Sequence, residues 1–405
     1  MSGDAKLRAA IIGGGMGGLA AANALRRHGL EVTVFEQASA LGEVGAGVFI
    51  YPNSLRQLER MGFGQTLAKV GGKIGPGSRY NLKDGSYVGD VLTTDSAGWN
   101  GMYGMHRADI LDTLAAALPP QSVRTGHRAV GFAQDADKAT VSFANGESFE
   151  AEVVIGADGI ISAMQPFVVE PSLPEYSGFR AYRGLIARDK LGVWPDDTHQ
   201  VWMGDGKHFM TFPVRSGTLY NYVGFVPTPH ETLESWSAIG DRDELAASFD
   251  GWDPRVTSLL SKVETCFWWG LFDRQPLRTW TNGRLALLGD AAHPMLPHLG
   301  QGVNQAIEDA VALGVLLDGY DRRRVIVAGD FNLAPWTSGL EAADAHLGLI
   351  RRDRALASWP ARSWPWPLLP IDHVYAGSRL ASDPPKRARA VGSSHYAVIT
   401  RLALK

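Results

Sequence analysis

A single cysteine, Cys266, stands among 405 residues, so no disulfide within the chain can staple the fold. No apolar run approaches the roughly 20 residues that a membrane-spanning helix needs. Acidic and basic side chains nearly cancel, leaving a net charge of −3, which exerts no overall pull toward nucleic acid or an anionic membrane. Strand-like sequence begins at Arg8, so no signal peptide is expected. These absences lead to the expectation of a cytoplasmic protein, long enough for two domains or one large one.

What is present in quantity is glycine, and the first cluster carries the most information. Arg8–Ile12 is a short apolar run that ends in Gly13-Gly14-Gly15-Met16-Gly17-Gly18. A segment with helical spacing follows (Leu19, Ala22, Leu25), then Glu31-Val32-Thr33-Val34-Phe35-Glu36. In a dinucleotide site, Gly13 turns the chain, Gly15 lets backbone approach a pyrophosphate, and Gly18 lets helix pack on strand. The helix N-terminus favours anions, and Glu36 is placed to accept ribose hydroxyls. Two strands, the helix and the terminal acid in register read as a nucleotide-binding unit.

The rest of the chain adds candidates in order. Gly42, Gly45 and Gly47, with Val48, suit a loop lying close to a flat ligand, or else a surface connection. Arg107 starts a helical segment and could hold a phosphate or flavin edge, or stand solvated. Asn145-Gly146 signals a hairpin. Ala151–Ile155 runs into Gly156-Ala157-Asp158-Gly159, an acid at a strand's carboxyl end, where ligands of open α/β sheets bind. From Ser177 to Phe272, short strand-like runs rich in aromatics predict an inserted, mostly antiparallel sheet. Trp202, Phe212, Tyr220, Tyr222 or Phe225 could roof a pocket there, although core packing accounts for most of them. Arg284–Leu288 is a second buried-strand pattern, ending in Gly289-Asp290, with a helix predicted from Val303 to Leu317.

Taken together, the motifs resemble the group A flavoprotein aromatic hydroxylases, the single-component FAD monooxygenases typified by salicylate and 6-hydroxynicotinate hydroxylases. The resemblance covers roughly Lys6 to Leu317. It rests on the glycine fingerprint (Gly13, Gly15, Gly18, Glu36), the Asp-Gly motif (Asp158, Gly159) and the Gly-Asp motif (Gly289, Asp290, with Pro294). It implies an α/β fold with a Rossmann-like FAD-binding domain over 1–176 and 273–318 and a substrate-binding sheet domain over 177–272. FAD would lie among those residues and Gly47, Val48, Arg107, Gly300, Gly302, Val303 and Asn304. Glu36 would hold the adenosine ribose, Asp290 the ribityl or pyrophosphate region, and residues 300–304 the pyrimidine side of the isoalloxazine. NADH or NADPH and O2 would be co-substrates, and a small phenolic or N-heteroaromatic acid would be hydroxylated through a flavin C4a-hydroperoxide. His298 and Pro294 are the implied catalytic positions. For His298 the role is base or substrate anchor, against the competing reading of a hydrogen-bonding loop histidine. No metal, membrane or nucleic acid is expected, and a homodimer is left open.

Beyond Leu317 the texture changes. Residues 319–405 hold 13 Lys and Arg against 7 Asp and Glu, a net +6 that leaves −9 on the remainder. Asp330 and Asn332 in a Gly-Asp-Phe-Asn run, Asp372 before His373, and His395 after Ser394 resemble the C-terminal half of the endonuclease/exonuclease/phosphatase family. Ser394 stands where that pattern has an acid, and the N-terminal half of the fold has no counterpart. The resemblance implies a fusion near Gly319 of a hydroxylase to a partial α/β sandwich. The alternative functional expectation is an inactive remnant that at most binds FAD.

Overall fold

In the computed structural model of the chain, β1 (Arg8–Ile12) is hydrogen-bonded in parallel to two strands at once. Ile12 lies opposite Phe35 of β2 (Glu31–Phe35) and opposite Gly156 of the Val153–Gly156 strand. The structure describes residues 7–42, 46–94, 98–228 and 238–317 in full, and the backbone of seven short strands between 326 and 404. The chain divides into two compact units, 1–315 and 316–405.

The six-stranded sheet of the first unit extends from β2 to Val123–Arg124 on one side. On the other it passes from Val153–Gly156 to Leu285–Leu287 and the antiparallel Thr281–Asn282. Continuous apolar runs such as Ala-Ala-Ile-Ile suit strands covered on both faces. One cover is α1 (Met16–Arg27), whose small residues from Ala20 to Ala24 are buried. The other is a three-stranded antiparallel sheet built on the expected hairpin, Ala139–Phe143 with Ser148–Ala151, Gly146 taking φ +88° in the turn. Phe35, Val141, Phe143 and Val154 share the core between them.

An eight-stranded sheet forms the opposite wall. Its order is Ala238–Gly240, Cys266–Asp273, Glu175–Ala187, Leu219–Pro227, Lys207–Val214, Gln200–Gly204, Arg79–Leu82 and Tyr87–Asp90. The sheet is therefore not confined to the expected span of 177–272. Gln200–Gly204 would be an open edge, and the 79–90 hairpin supplies its parallel partner.

Both faces of this sheet are covered, so its strands alternate in kind rather than in polarity. Tyr182, Trp202, Phe209, Tyr220 and Tyr222 pack on one side against the helices Arg242–Ser248 and Pro254–Leu260. Asp241 and Asp253 cap those helices, Asp241 accepting the Asp243 and Glu244 N–H groups and Asp253 that of Arg255. Ala181, Val201, Met210, Phe212, Phe225 and Trp269 occupy the other face.

In the second unit, Ile326–Asp330 pairs antiparallel with Asp372–Ala376, which brings Asp330 opposite Asp372. Asn332 and His395 lie outside the described residues. Among the described residues, no helix is long and apolar enough to cross a membrane.

His199 offers a test of the packing between sheet and fingerprint domain. It is buried, its Nδ1 donates to the Thr211 carbonyl at 3.0 Å, and its ring stands edge-on to Phe49 at 4.6 Å. Burial pushes its pKa down to about 4 from 6.5. The unfolded chain then binds the extra proton between those values, so this contribution is complete above pH 6.5 and is lost as pH falls toward 4. Urea unfolding should show His199→Asn losing less stability than wild type between pH 7 and 4.5, by roughly 2–3 kcal/mol. Equal losses in both proteins would contradict a buried neutral His199.

Candidate active site

Bare backbone lines the nucleotide half of the site. Gly13 sits at φ +110°, and a Cβ there would overlap the Ala157 carbonyl, so the loops after β1 and after Val153–Gly156 touch through backbone. A Cβ on Gly18 would overlap the Gly13 carbonyl, which brings helix against strand as expected. Gly15 differs. Its backbone is extended (φ −73°, ψ −178°), open to any residue, and a Cβ there would meet nothing within 4 Å. Among the described residues no atom requires glycine at this point. The space lies above the uncapped start of α1, whose first N–H groups face an anion favourably. A pyrophosphate fits that space. Glu36 is held by the Gly14 and Ala38 N–H groups, both at 2.8 Å, and a carboxylate has lone pairs to spare for ribose hydroxyls.

Two further acids line the same cleft. Asp158 braces its own turn, accepting from Ser162 Oγ at 2.6 Å and from the Ala163 and Met164 N–H groups at 2.7 and 3.2 Å. Burial still raises its carboxyl above the usual range. Asp290 opens onto the cleft but is walled by protein; that desolvation raises its pKa, with Arg107 and His293 opposing. Behind it, Asp309 accepts from the Gly289 N–H at 3.1 Å and pairs with His293 Nε2 at 2.6 Å. Burial works against charge on His293, but Asp309 outweighs it and the pKa rises. The pair pins the Gly-Asp loop from both ends.

The cleft has a cavity volume of about 420 Å³ and runs from these loops to the sheet. Gly47, Val48, Arg107, Gly159, Gly289, Gly300, Gly302 and Val303 line it together with Gly13, Gly15, Glu36, Asp158 and Asp290. The sheet contributes Arg183, Met210, Phe212, Asn221, Val223, Phe225 and Trp269. Of the aromatics expected to roof a pocket, Phe212 and Phe225 do so. Trp202, Tyr220 and Tyr222 project to the opposite face, because their positions are one residue out of phase.

Gly18, packed against the Gly13 carbonyl, does not line the cavity, and three other expected residues also stand outside its lining. Asn304 is fully buried and its amide is consumed by the fold: Oδ1 accepts from the Tyr51 N–H and Ser54 Oγ, while Nδ2 donates to the Phe49 and Gly300 carbonyls. Its side chain is a tie between loop and helix rather than a cofactor contact. Pro294 is not among the residues that line the cavity, and its side chain has no proton to exchange. His298 lies beside the cavity, within a loop whose Met295, Pro297 and Gly300 line it. Its ring packs on Phe225 at 4.7 Å and Phe179 at 5.5 Å, with Nδ1 3.5 Å from His208 Nε2.

Arg183, Asn221 and Trp269 were not singled out from sequence. Nothing local marks them, since only strand register turns them toward the cleft. A test of the pyrophosphate position follows from Gly15. Serine is a good helix N-cap, so Gly15→Ser should leave the melting temperature of the FAD-free protein unchanged or slightly raised. Its side chain should weaken FAD binding about tenfold or more in a fluorescence titration, and wild-type affinity would place the pyrophosphate elsewhere.

Comparison with known proteins agrees with this geometry. The FAD binding domain family matches residues 6–320. A 3-amino-4-hydroxybenzoate 2-monooxygenase of Streptomyces platensis is 38% identical over 320 residues, covering 78% of this chain and 80% of that one. A salicylate hydroxylase of Pseudomonas putida is 35% identical over 77% of each chain. Among solved structures, Klebsiella pneumoniae HpxO complexed with FAD and uric acid superposes with a TM-score of 0.66 at 29% identity, covering 78% of this chain and 80% of that one. The family match stops at residue 320 and lends the nuclease-like expectation for 319–405 no support. The chain belongs to the FAD binding domain family, and over that span it is an FAD-dependent aromatic monooxygenase.

Proposed function

We propose that the protein hydroxylates a small phenolic or N-heteroaromatic acid, with NADH or NADPH and O2 as co-substrates. One observation carries this reading: a single cleft joins the fingerprint loops to an aromatic sheet wall of Phe212, Phe225 and Trp269. Bound FAD supplies the oxygen activation, at the expense of the nicotinamide. The chain's part is to orient the ring, exclude water and move a proton.

Orientation falls to the wall, where flat apolar side chains favour a ring lying between sheet and flavin. Proton transfer falls to His298. Burial lowers its pKa below the ordinary histidine value, so the ring is neutral near pH 7. His208, beside it, is pushed down to about 4 by burial and by His298. A proton shared along the Nδ1 edge toward His208 leaves Nε2 of His298 as the acceptor for a substrate hydroxyl. Loss of that proton makes the ring electron-rich enough to be hydroxylated.

His298→Asn should lower kcat for product formation by about 10²–10⁴-fold while bound FAD, read by visible absorbance, stays at wild-type level. In wild type, the acid limb of kcat/KM should fall below pH 6.5, because activity needs the neutral ring and its pKa is depressed. Hydroxylation at the wild-type rate in the variant would remove His298 from the chemistry.

A further inference from the structure

Two adjacent strands of the wall, Lys207–Val214 and Leu219–Pro227, are joined by a turn in which three consecutive residues have left-handed backbone. Arg215 takes φ +47°, Ser216 +53° and Gly217 +79°. Glycine tolerates that conformation, whereas a Cβ makes it costly, so Arg215 and Ser216 are held there against their own preference. Such residues persist only where their surroundings fix them. Here the fixing is done by side chains that leave the turn. Arg215 donates from Nε and Nη2 to the two carboxylate oxygens of Asp109, at 3.1 and 3.0 Å. Ser216 Oγ donates to the Lys69 carbonyl at 2.6 Å. Those partners stand on the helices Arg107–Ala116 and Gly64–Val70, outside the sheet. The Arg215 side chain is 46% exposed, and an ion pair so open to water adds little stability. Stability alone therefore does not account for a strained turn tied in this way.

What the turn carries is the wall of the cavity. Met210 and Phe212 precede it, and Asn221, Val223 and Phe225 follow it. What it is tied to is the opposite side. Arg107, which lines the cavity, begins the helix on which Asp109 stands, and its N–H donates to the Ala46 carbonyl at 2.9 Å. The strand before it, Tyr103–His106, pairs with Gly47–Ile50, whose Gly47 and Val48 line the cavity. The hairpin lies directly on these two strands. A Cβ on Gly104 would overlap the Pro213 carbonyl and crowd the Phe212 ring, and one on Gly47 would crowd Phe212 and Asn221. Bare backbone thus sets how closely wall and floor approach, but it cannot stop them from parting. Asn221 holds the middle of the hairpin through Gly47, and Arg215 and Ser216 hold its end. His106, buried 3.9 Å from Asp109, adds no charge beside that carboxylate: burial, and then Arg215, lower its pKa and keep it neutral near pH 7.

We infer that Arg215 and Asp109 are positioning residues for the reaction: their ion pair keeps the aromatic wall in place over the cofactor loops, so that substrate ring and flavin meet at reacting distance. This deepens the function proposed above and rests on it. Neither residue is among those that line the cavity, so both act through the hairpin and the helix rather than on the substrate. The two-pronged contact of guanidinium and carboxylate fixes direction as well as distance. A displacement of about 1 Å at a reacting centre is enough to slow a reaction roughly hundredfold. A wall that parts from the floor also admits water, which lets nicotinamide oxidation run without hydroxylation.

Arg215→Gly separates positioning from stability, because glycine relieves the left-handed strain as it removes the tie. In the FAD-loaded full chain the melting temperature should stay the same or rise, and FAD affinity should hold within about twofold. The fraction of oxidised nicotinamide that ends in hydroxylated product should fall about threefold or more. The flavin difference spectrum at saturating salicylate should shrink with it, a readout that needs no turnover. Asp109→Ala should give the same losses, and the double variant no more than either alone, since a single interaction is removed. An unchanged fraction and spectrum in Arg215→Gly would overturn the proposal. So would losses that multiply in the double variant, or that track a fall in FAD affinity and melting temperature. A wild type whose flavin spectrum answers to no aromatic acid would overturn it as well, leaving no ring to position. Failure of the broader function looks different: the spectral change responds to Arg215→Gly as expected, yet wild type forms no hydroxylated product with either nicotinamide.

Discussion

The backbone contact between Gly13 and Ala157 is the constraint on which the site depends. Two parallel strands flank one another, and the loops at their carboxyl ends meet with no side chain between them. This contact holds the start of α1 beside the Asp158 turn. A residue with a Cβ at Gly13 would force the loops apart and tilt the helix away from the phosphate position. The acids around the cleft are fixed in turn by their own hydrogen bonds, Glu36 to Gly14 and Ala38, and Asp158 to the turn that follows it.

The opposite wall is held by a different means. Its strands are buried on both faces, so register alone decides which side chains meet the ligand. Two amides couple wall to floor. Asn221 takes the Gly47 N–H from across the cleft, and Asn304 joins the Phe49 and Tyr51 backbone to the start of the Gly302–Leu317 helix. Positions 47–51 are thereby clamped between the sheet and the helix. Replacement of either asparagine would be felt in the cavity through the backbone as well as through the lost side chain.

The difference in legibility follows from this contrast. The partner of Gly13 is Ala157, far along the chain, whereas Gly18 and Glu36 answer to neighbours within one β-α-β unit, the Gly13 carbonyl and the Gly14 N–H, which sequence shows directly. Asp158 and Asp290 were legible for a similar reason, as acids at the carboxyl ends of apolar strands. Arg183 and Asn221 were not, since facing the cleft depends on pairing with strands distant in sequence. Tyr220 and Tyr222 were candidates for the pocket because aromatics attract attention; alternation sends them to the core and gives the cavity Asn221 and Val223 instead. Asn304 was placed at the cofactor by family resemblance, whereas its buried amide is a structural tie between loop and helix. The sheet's extension to Arg79–Leu82 was invisible because its partner strand lies more than a hundred residues away.

The central claim is that the cleft transfers one oxygen atom from O2 to an aromatic acid held against the sheet. The most direct measurement is a turnover of the FAD-loaded protein under isotopically heavy O2, with salicylate or 3-amino-4-hydroxybenzoate and each nicotinamide, and mass analysis of the product. The expected product is a hydroxylated ring carrying one heavy oxygen atom. Nicotinamide oxidation that yields only hydrogen peroxide, across a panel of phenolic and N-heteroaromatic acids, would contradict it.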